Sequence, residues 1–252
     1  YFDAMNREEK KGKILTISGA LIVVAGIVSG AMSADIDTVS FSRPTGYAEN
    51  RHIVQSSDRQ IVVLYQAGTG PGGGIRARKS RDGGNTWTNL SGTSGSTQID
   101  FFSSEAFSIC IDEANDIYVV YGLGPIYFRK LRYIGSVGSW MVLSPATIRD
   151  VGFSSHPSII RDSAGRIWVA YVDEGDIETV NAVYSGDEFR TPGTTTLVTP
   201  GGLSGGASLA LTLRNGKPFI VYHDYGDSNS FKWSYWDGSS WSCLLYTSDA
   251  AD

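Results

Sequence analysis

The chain has 252 residues, 41% of them hydrophobic and 12% aromatic, with 30 glycines and a formal net charge of −5. Those proportions suit one globular domain rich in turns and strands. Removing residues 1–34 takes away four basic and three acidic side chains, leaving 17 against 23 and a charge of −6. An acidic body of that kind excludes a nucleic-acid surface, which needs a concentrated positive face.

Met5 to Ala34 opens with Arg7, Lys10, Lys11 and Lys13 and continues as ILTISGALIVVAGIVSGA, eighteen residues without a charge. This stretch reads as a secretory signal, cleaved after Ala31 or Ala34, or as an uncleaved signal anchor at the lower edge of membrane-spanning length. A secreted or cell-surface protein is expected, with YFDA before Met5 read as upstream readthrough. At the other end CLLYTSDAAD, Cys243 to Asp252, resembles a translated sequencing adapter, which places the end of the natural sequence near Ser242. Cys110 is then the one native cysteine; in the apolar run FSICI it reads as a buried, inert thiol.

Between these ends the chain repeats itself. HIVQSSDRQIVVLY, FSICIDEANDIYVVY, PSIIRDSAGRIWVAY and SLALTLRNGKPFIVY each join an apolar strand, a polar turn and a stronger strand. Their final tyrosines, Tyr65, Tyr121, Tyr171 and Tyr222, are 56, 50 and 51 residues apart. A second series, Trp87, Trp140, Phe189 and Trp241, keeps spacings of 53, 49 and 52. Within a unit, apolar residues alternate with period two and both faces are apolar, as in Ile167, Val169 and Tyr171 against Trp168 and Ala170. Strands covered on both sides are predicted. The third strand of each unit is clearest at GIRARKS, IYFRKLRY, TVNAVYS and FKWSYW; RARK, Arg76 to Lys79, reads as a solvated face.

The predicted fold is all-β: a β-propeller of four-stranded antiparallel blades, a to d from the axis outward. Residues 35–242 would supply about four blades of a ring of six or seven. DIDTVSF, ending at Phe41, reads as an outer strand completing the last blade and hiding its edge.

SRDGGNTW fits the Asp-box pattern at Ser80, Asp82, Gly84, Thr86 and Trp87, with worn versions in RYIGSVGSW, VYSGDEF and YWDGSSW. On these residues the chain resembles the sialidase-like family of bacterial neuraminidase-repeat propellers. The motif makes physical sense as a tight c–d hairpin. Its glycines adopt positive φ, its carboxylate accepts backbone N–H groups, and its tryptophan anchors neighbouring blades. In the family that turn lies opposite the active site, which makes the box structural.

Function is expected on the other face, built by the b–c and d–a loops. The ligand-binding candidates there are Arg51, His156, Asp173, Asp176, His223, Asp224, Tyr225 and Asp227. An exo-sialidase-like glycosidase is one reading. The resemblance implies an arginine cluster, an Asp acid/base and a Tyr–Glu nucleophile. Here Arg43 in FSRP and Arg51 are the catalytic candidates, while the first b–c loop, AGTGPGGG, lacks the arginine and acid the family carries. The preferred reading is a non-catalytic module binding a glycan or a cell-surface protein through aromatic and acidic loops. No cofactor is expected. Calcium is the metal that DEGD and HDYGD would suit, though neither run has the spacing of a defined calcium loop.

Overall fold

A computed structural model of the protein describes residues 35–37, 51–68, 73–101, 106–149, 154–174, 178–199, 203, 208–224, 230–242 and 245–246. The described residues form four antiparallel sheets arranged as blades of a β-propeller. Blade 1 comprises β1 (Ile53–Gln55), β2 (Ile61–Gln66), β3 (Ile75–Ser80) and β4 (Thr97–Asp100). Blade 2 comprises β5 (Phe107–Ile111), β6 (Ile117–Tyr121), β7 (Ile126–Ile134), β8 (Ser139–Val142) and β9 (Ala146–Arg149). Its last two strands both pair with β7, so one outer strand is broken into two. Blade 3 comprises β10 (Ser154–Arg161), β11 (Ile167–Asp173), β12 (Thr179–Ser185) and β13 (Thr194–Leu197). Blade 4 comprises β14 (Leu209–Arg214), β15 (Lys217–Asp224), β16 (Ser230–Tyr235) and β17 (Leu245–Tyr246), the last lying within the tail that resembles adapter sequence. No helix among the described residues is long and apolar enough to cross a membrane; the leader and Phe41 lie outside them.

Alternation along each b strand divides the core into three seams. Ile117, Val119 and Tyr121 of β6 pack with Val62 and Leu64 of blade 1. Tyr118 and Val120, on the other side of the same strand, pack with Ile167, Val169 and Tyr171 of blade 3. Trp168, Ala170 and Val172 in turn pack with Leu211, Ile220 and Tyr222 of blade 4. The b strands of blades 2 and 3 therefore each serve two cores, the arrangement their doubly apolar sequences require. Burying a side chain the size of Leu or Phe at such a seam stabilises the fold by about 1.5–3 kcal/mol. Cys110 lies in the second seam, where burial pushes its thiol up to about 12 and keeps it protonated.

The a–b turns explain why the inner hairpins recur. Asp112 and Asp162 each accept the N–H four residues on, at 2.9 Å, and the Ser56 hydroxyl does the same for Gln60 at 3.0 Å. These turns place Arg59, Asn115 and Gly165 at φ 66°, 65° and 82°. In blade 4 the turn shortens to Asn215–Gly216, both at positive φ, as a two-residue hairpin between twisted strands demands.

Two expectations need correction. Lys79 is fully buried instead of solvated, because its side chain crosses the seam and donates to the Gly138 carbonyl at 2.6 Å. Arg76 and Arg78, its neighbours on β3, are half-buried, bonded to Ser96 and Asp37. Trp87 is half-buried and stands outside the first seam's cluster, where the fully buried Leu90 takes the anchoring role.

Candidate functional site

The a–b and c–d turns share one face. Arg81, in the Asp-box turn, donates to Gln60 of its own a–b turn at 3.0 Å and to Val137, in the c–d turn of blade 2, at 2.7 Å. On this face the carboxylates are occupied with structure. Asp82 accepts the Ser80 hydroxyl at 2.8 Å and both the N–H and hydroxyl of Thr86 at 2.9 and 2.6 Å, while Gly84 donates to Ser80 at 2.8 Å. The Thr86 and Ser80 bonds favour the charged form and hold the Asp82 carboxyl down at about 2. A catalytic acid needs the opposite shift, so the chemistry of this turn is that of a staple.

The b–c and d–a loops lie on the other face. Here the mouths of the inner strands present Arg51 and His52 from blade 1 and His156 from blade 3, with His223 at the end of the b strand of blade 4. All three histidines in the sequence therefore lie at this face. His156 adopts φ 52° at a register shift between Ser155 and Ser158, just before Pro157. A non-glycine residue in that conformation is strained, and a bulge of this kind turns a side chain out of the strand's alternation. His52, not singled out from sequence, packs its ring tilted against Phe107 at 4.6 Å, with Nε2 3.2 Å from that residue's carbonyl oxygen. Arg51 is exposed, with its backbone carbonyl held by the Ile109 N–H at 2.9 Å.

The acidic candidates divide. Asp224 is buried and paired with Lys232 at 2.7 Å, which removes its charge from solvent. Asp173 is half-buried and paired with Arg149 at 2.6 Å. His223 packs its ring tilted against Phe231 at 5.0 Å. Glu178 keeps one carboxylate oxygen buried with no hydrogen-bond partner among the described residues. Arg43, Asp176, Tyr225 and Asp227 lie outside the described residues. Among the described residues no group of three or more His, Cys, Asp and Glu side chains is placed to hold a metal ion.

Sequence reasoning also missed the charged clamps joining blade 1 to blade 2 and blade 2 to blade 3 on this face. Asp100, ending strand d of blade 1, accepts the Tyr121 hydroxyl at 2.6 Å and Arg129 at 2.8 Å, both from blade 2. Arg149 holds the equivalent place in blade 2, each residue pairing with the first residue of its c strand across the same register shift. Arg149 reaches Asp173 and lies over the Tyr171 ring, 5.9 Å from its centroid. The repeat tyrosines were the visible half of these clamps; their partners sit on strands too short and polar to stand out.

The site and its scaffold define a β-propeller with a histidine- and carboxylate-bearing loop face. No family profile matches the sequence, and no curated protein is similar to it in sequence. Solved structures do share the fold. One is a protein of unknown function from Dyadobacter fermentans, at 12% identity and a TM-score of 0.52, covering 81% of this chain and 71% of that one. Another is an ulvan lyase bound to -[GlcA(1-4)Rha3S]-, at 13% identity and 0.56, covering 85% of this chain and 58% of the lyase. An endo-1,4-β-xylanase from Bacteroides thetaiotaomicron matches at 13% and 0.53, covering 84% and 75%. At these identities the likeness is one of fold, and the chain spans under three fifths of the lyase's length.

Proposed function

We propose that the chain belongs to an exported or surface-tethered propeller that binds carbohydrate on its b–c and d–a loop face. The observation that carries this reading is the division of labour between the two faces. The turn face uses its carboxylates to cap hairpins, whereas the loop face holds Arg51, three histidines and a carboxylate oxygen of Glu178 without a hydrogen-bond partner among the described residues. Cations, imidazoles and carboxylates beside tyrosines are the groups that hold sugar hydroxyls and acids. Several propellers of this fold are named for enzymes acting on polysaccharides, which supports a glycan over a protein as the ligand.

A glycan array followed by calorimetry on the best ligand tests the proposal. Arg51→Ala, His156→Ala and Glu178→Gln should each weaken binding by about tenfold or more, about 1.4 kcal/mol. Unchanged circular dichroism would confirm that the variants remain folded. Binding by none of the array sugars, or equal binding by all three variants, would sink it.

The fold neighbours named as enzymes also favour a second reading, a carbohydrate-active enzyme, for which the Asp-box resemblance would suggest an exo-sialidase-like glycoside hydrolase. Against it, the loop-face carboxylates Asp173 and Asp224 are already ion-paired, and the first b–c loop carries neither arginine nor acid. Turnover of a fluorogenic sialoside, abolished by Arg51→Ala, would replace the binding reading with this one.

A further inference from the structure

We propose that a cleft on the outer side of the junction between blades 2 and 3 binds the carboxylate of an acidic sugar residue, at a site separate from the loop face. The cleft, of about 480 Å³, lies between the outer strand of blade 2 and the c–d turn of blade 3. A break in that outer strand opens it. Between the pairs Leu131–Val142 and Phe128–Ala146, three residues, Leu143 to Pro145, stand opposite two of β7, Arg129 and Lys130. The Leu143 N–H donates to the Lys130 carbonyl at 3.0 Å, but Pro145 has no N–H to continue the ladder, and an extra residue of this kind bends its strand. The buried rings of Phe128 and Phe189, 5.1 Å apart, close the floor, and Leu143 and Pro145 line one side.

The charges at the rim point to an anion. Arg132 is exposed and has no hydrogen-bond or ion-pair partner among the described residues. The Arg190 side chain is 75% exposed, and its guanidinium meets Glu188 at 3.6 Å, beyond hydrogen-bond reach. Lys130 is committed to Asp116 and Glu188, so two guanidinium groups stand open in a chain whose net charge is −5. Their planar forks match a carboxylate. The equivalent places at the other junctions are put to structural use. Arg81 holds in blade 1 the place of Arg132, two residues after the lysine, and its guanidinium is bonded to Gln60 and to the carbonyls of Val137 and Gly138. Tyr184 holds in blade 3 the place of Lys130, and its ring packs against Trp168 at 4.5 Å and Trp236 at 6.2 Å. A carboxylate carried on a ring with an apolar face satisfies both halves of the cleft, whereas an inorganic anion satisfies only the arginines. The sugar ring rests on the carbohydrate reading above; the anion rests on these residues alone.

The test titrates the whole chain, by calorimetry, with tetrasaccharides of galacturonate, mannuronate and hyaluronate, and with the methyl-esterified galacturonate tetramer as an uncharged control. At least one acidic tetramer should bind, and removing its charge should weaken binding about tenfold or more. Arg132→Ala and Arg190→Ala, both at exposed positions that leave folding intact by circular dichroism, should each weaken it about tenfold. Glu188→Gln removes the one carboxylate lining the cleft and should tighten binding, while Arg51→Ala, on the loop face, should leave it unchanged. Binding of none of the acidic tetramers by the folded chain would overturn the proposal, as would equal binding by both arginine variants or weaker binding by Glu188→Gln. Binding lost in Arg51→Ala and kept in both arginine variants would move the acid to the loop face, leaving the carbohydrate reading in place and removing this site. Equal affinity for a glutamate tetrapeptide would give the cleft to acidic peptides, and equal affinity for free sulfate would leave an anion site with no sugar. Each of these two results also overturns the proposal.

Discussion

Lys79 and Lys130 occupy the same register position, each opposite the residue three before the blade's final tyrosine. Each lysine reaches towards the c–d turn of the next blade, but the turns differ. Lys79 meets the carbonyl of Gly138, and burial, reinforced by the Arg81 charge, pulls its ammonium down to about 8. Lys130 is also penalised by burial, yet Asp116 at 2.7 Å and Glu188 at 2.6 Å outweigh that penalty and raise its pKa. Desolvation disfavours both charges; only the second has carboxylates to offset it. Because Lys79 has a folded pKa below its unfolded value, the unfolded chain binds more protons between about pH 8 and 10.5, so stability rises with pH there. Burial raises Cys110, Tyr65, Tyr118, Tyr121 and Tyr171, so the unfolded chain loses its thiol proton first above about pH 9 and its tyrosine protons first above about pH 10, and stability falls. Denaturant titrations at stepped pH should therefore show a maximum between about pH 9 and pH 10. Lys79→Met should raise stability at pH 7 and flatten the rising limb while leaving the fall; an unchanged rising limb in that variant would refute this account.

The c–d turn shows how an element's identity resides in hydrogen bonds instead of its most visible residues. Ser185, Asp187 and Thr191 reproduce the spacing and bonds of Ser80, Asp82 and Thr86. Ser185 donates to Asp187 at 2.7 Å, and the Thr191 hydroxyl donates to the same carboxylate at 2.7 Å. Phe189 donates its N–H to Ser185 at 2.8 Å, as Gly84 does to Ser80. The glycines have gone, and Glu188 and Phe189 adopt φ 60° and 58° in their place. Phe189 repays that strain by burying its ring against Phe128 across the seam at 5.1 Å. From sequence VYSGDEF looked worn, because the glycines and tryptophan are the conspicuous letters. Aligning Phe189 with Trp87 put the phenylalanine in the wrong place, since it occupies the site of Gly84. Asp82→Ala and Asp187→Ala should each lower the melting temperature by a few degrees. Both carboxyls are held below their unfolded value, so each contributes stability above about pH 4 that is lost as pH falls below it, for Asp82 towards about 2. Scanning calorimetry at pH 7 and pH 2.5 should find the deficit of both variants shrinking at the lower pH. A deficit independent of pH would sink the carboxylate explanation.

Across the whole molecule, the blades were legible because a period near fifty residues and doubly apolar b strands leave few other ways to bury the chain. The seams were half legible: Ile167, Val169 and Tyr171 do face away from Trp168 and Ala170, as alternation predicts. The loop face was less so, since ion pairs such as Asp224–Lys232 and Arg149–Asp173 depend on strand register that composition does not reveal. Conspicuous aromatics also mislead about energetics. Trp168, buried between blades 3 and 4 with Tyr184 at 4.5 Å and Trp236 at 5.2 Å, should cost about 3–5 kcal/mol when cut to alanine. The half-buried Trp87 should cost about 1 kcal/mol. Urea unfolding of the two variants measures both, and equal losses would contradict the seam description.

The reversed clamps have a consequence for assembly during folding. Blades with similar backbones are prone to dock out of order, because each offers every other a tyrosine and a row of aliphatics. Asp100 meets Arg129 when blade 2 docks correctly, but in blade 3 the register position of Arg129 is held by Val183. Docking blade 3 in that place would leave Asp100, Arg129 and Arg149 without their counter-charges. The two junctions, one with its carboxylate on the outer strand and the other with its arginine there, thus disfavour an exchange of blades 2 and 3 while the chain assembles.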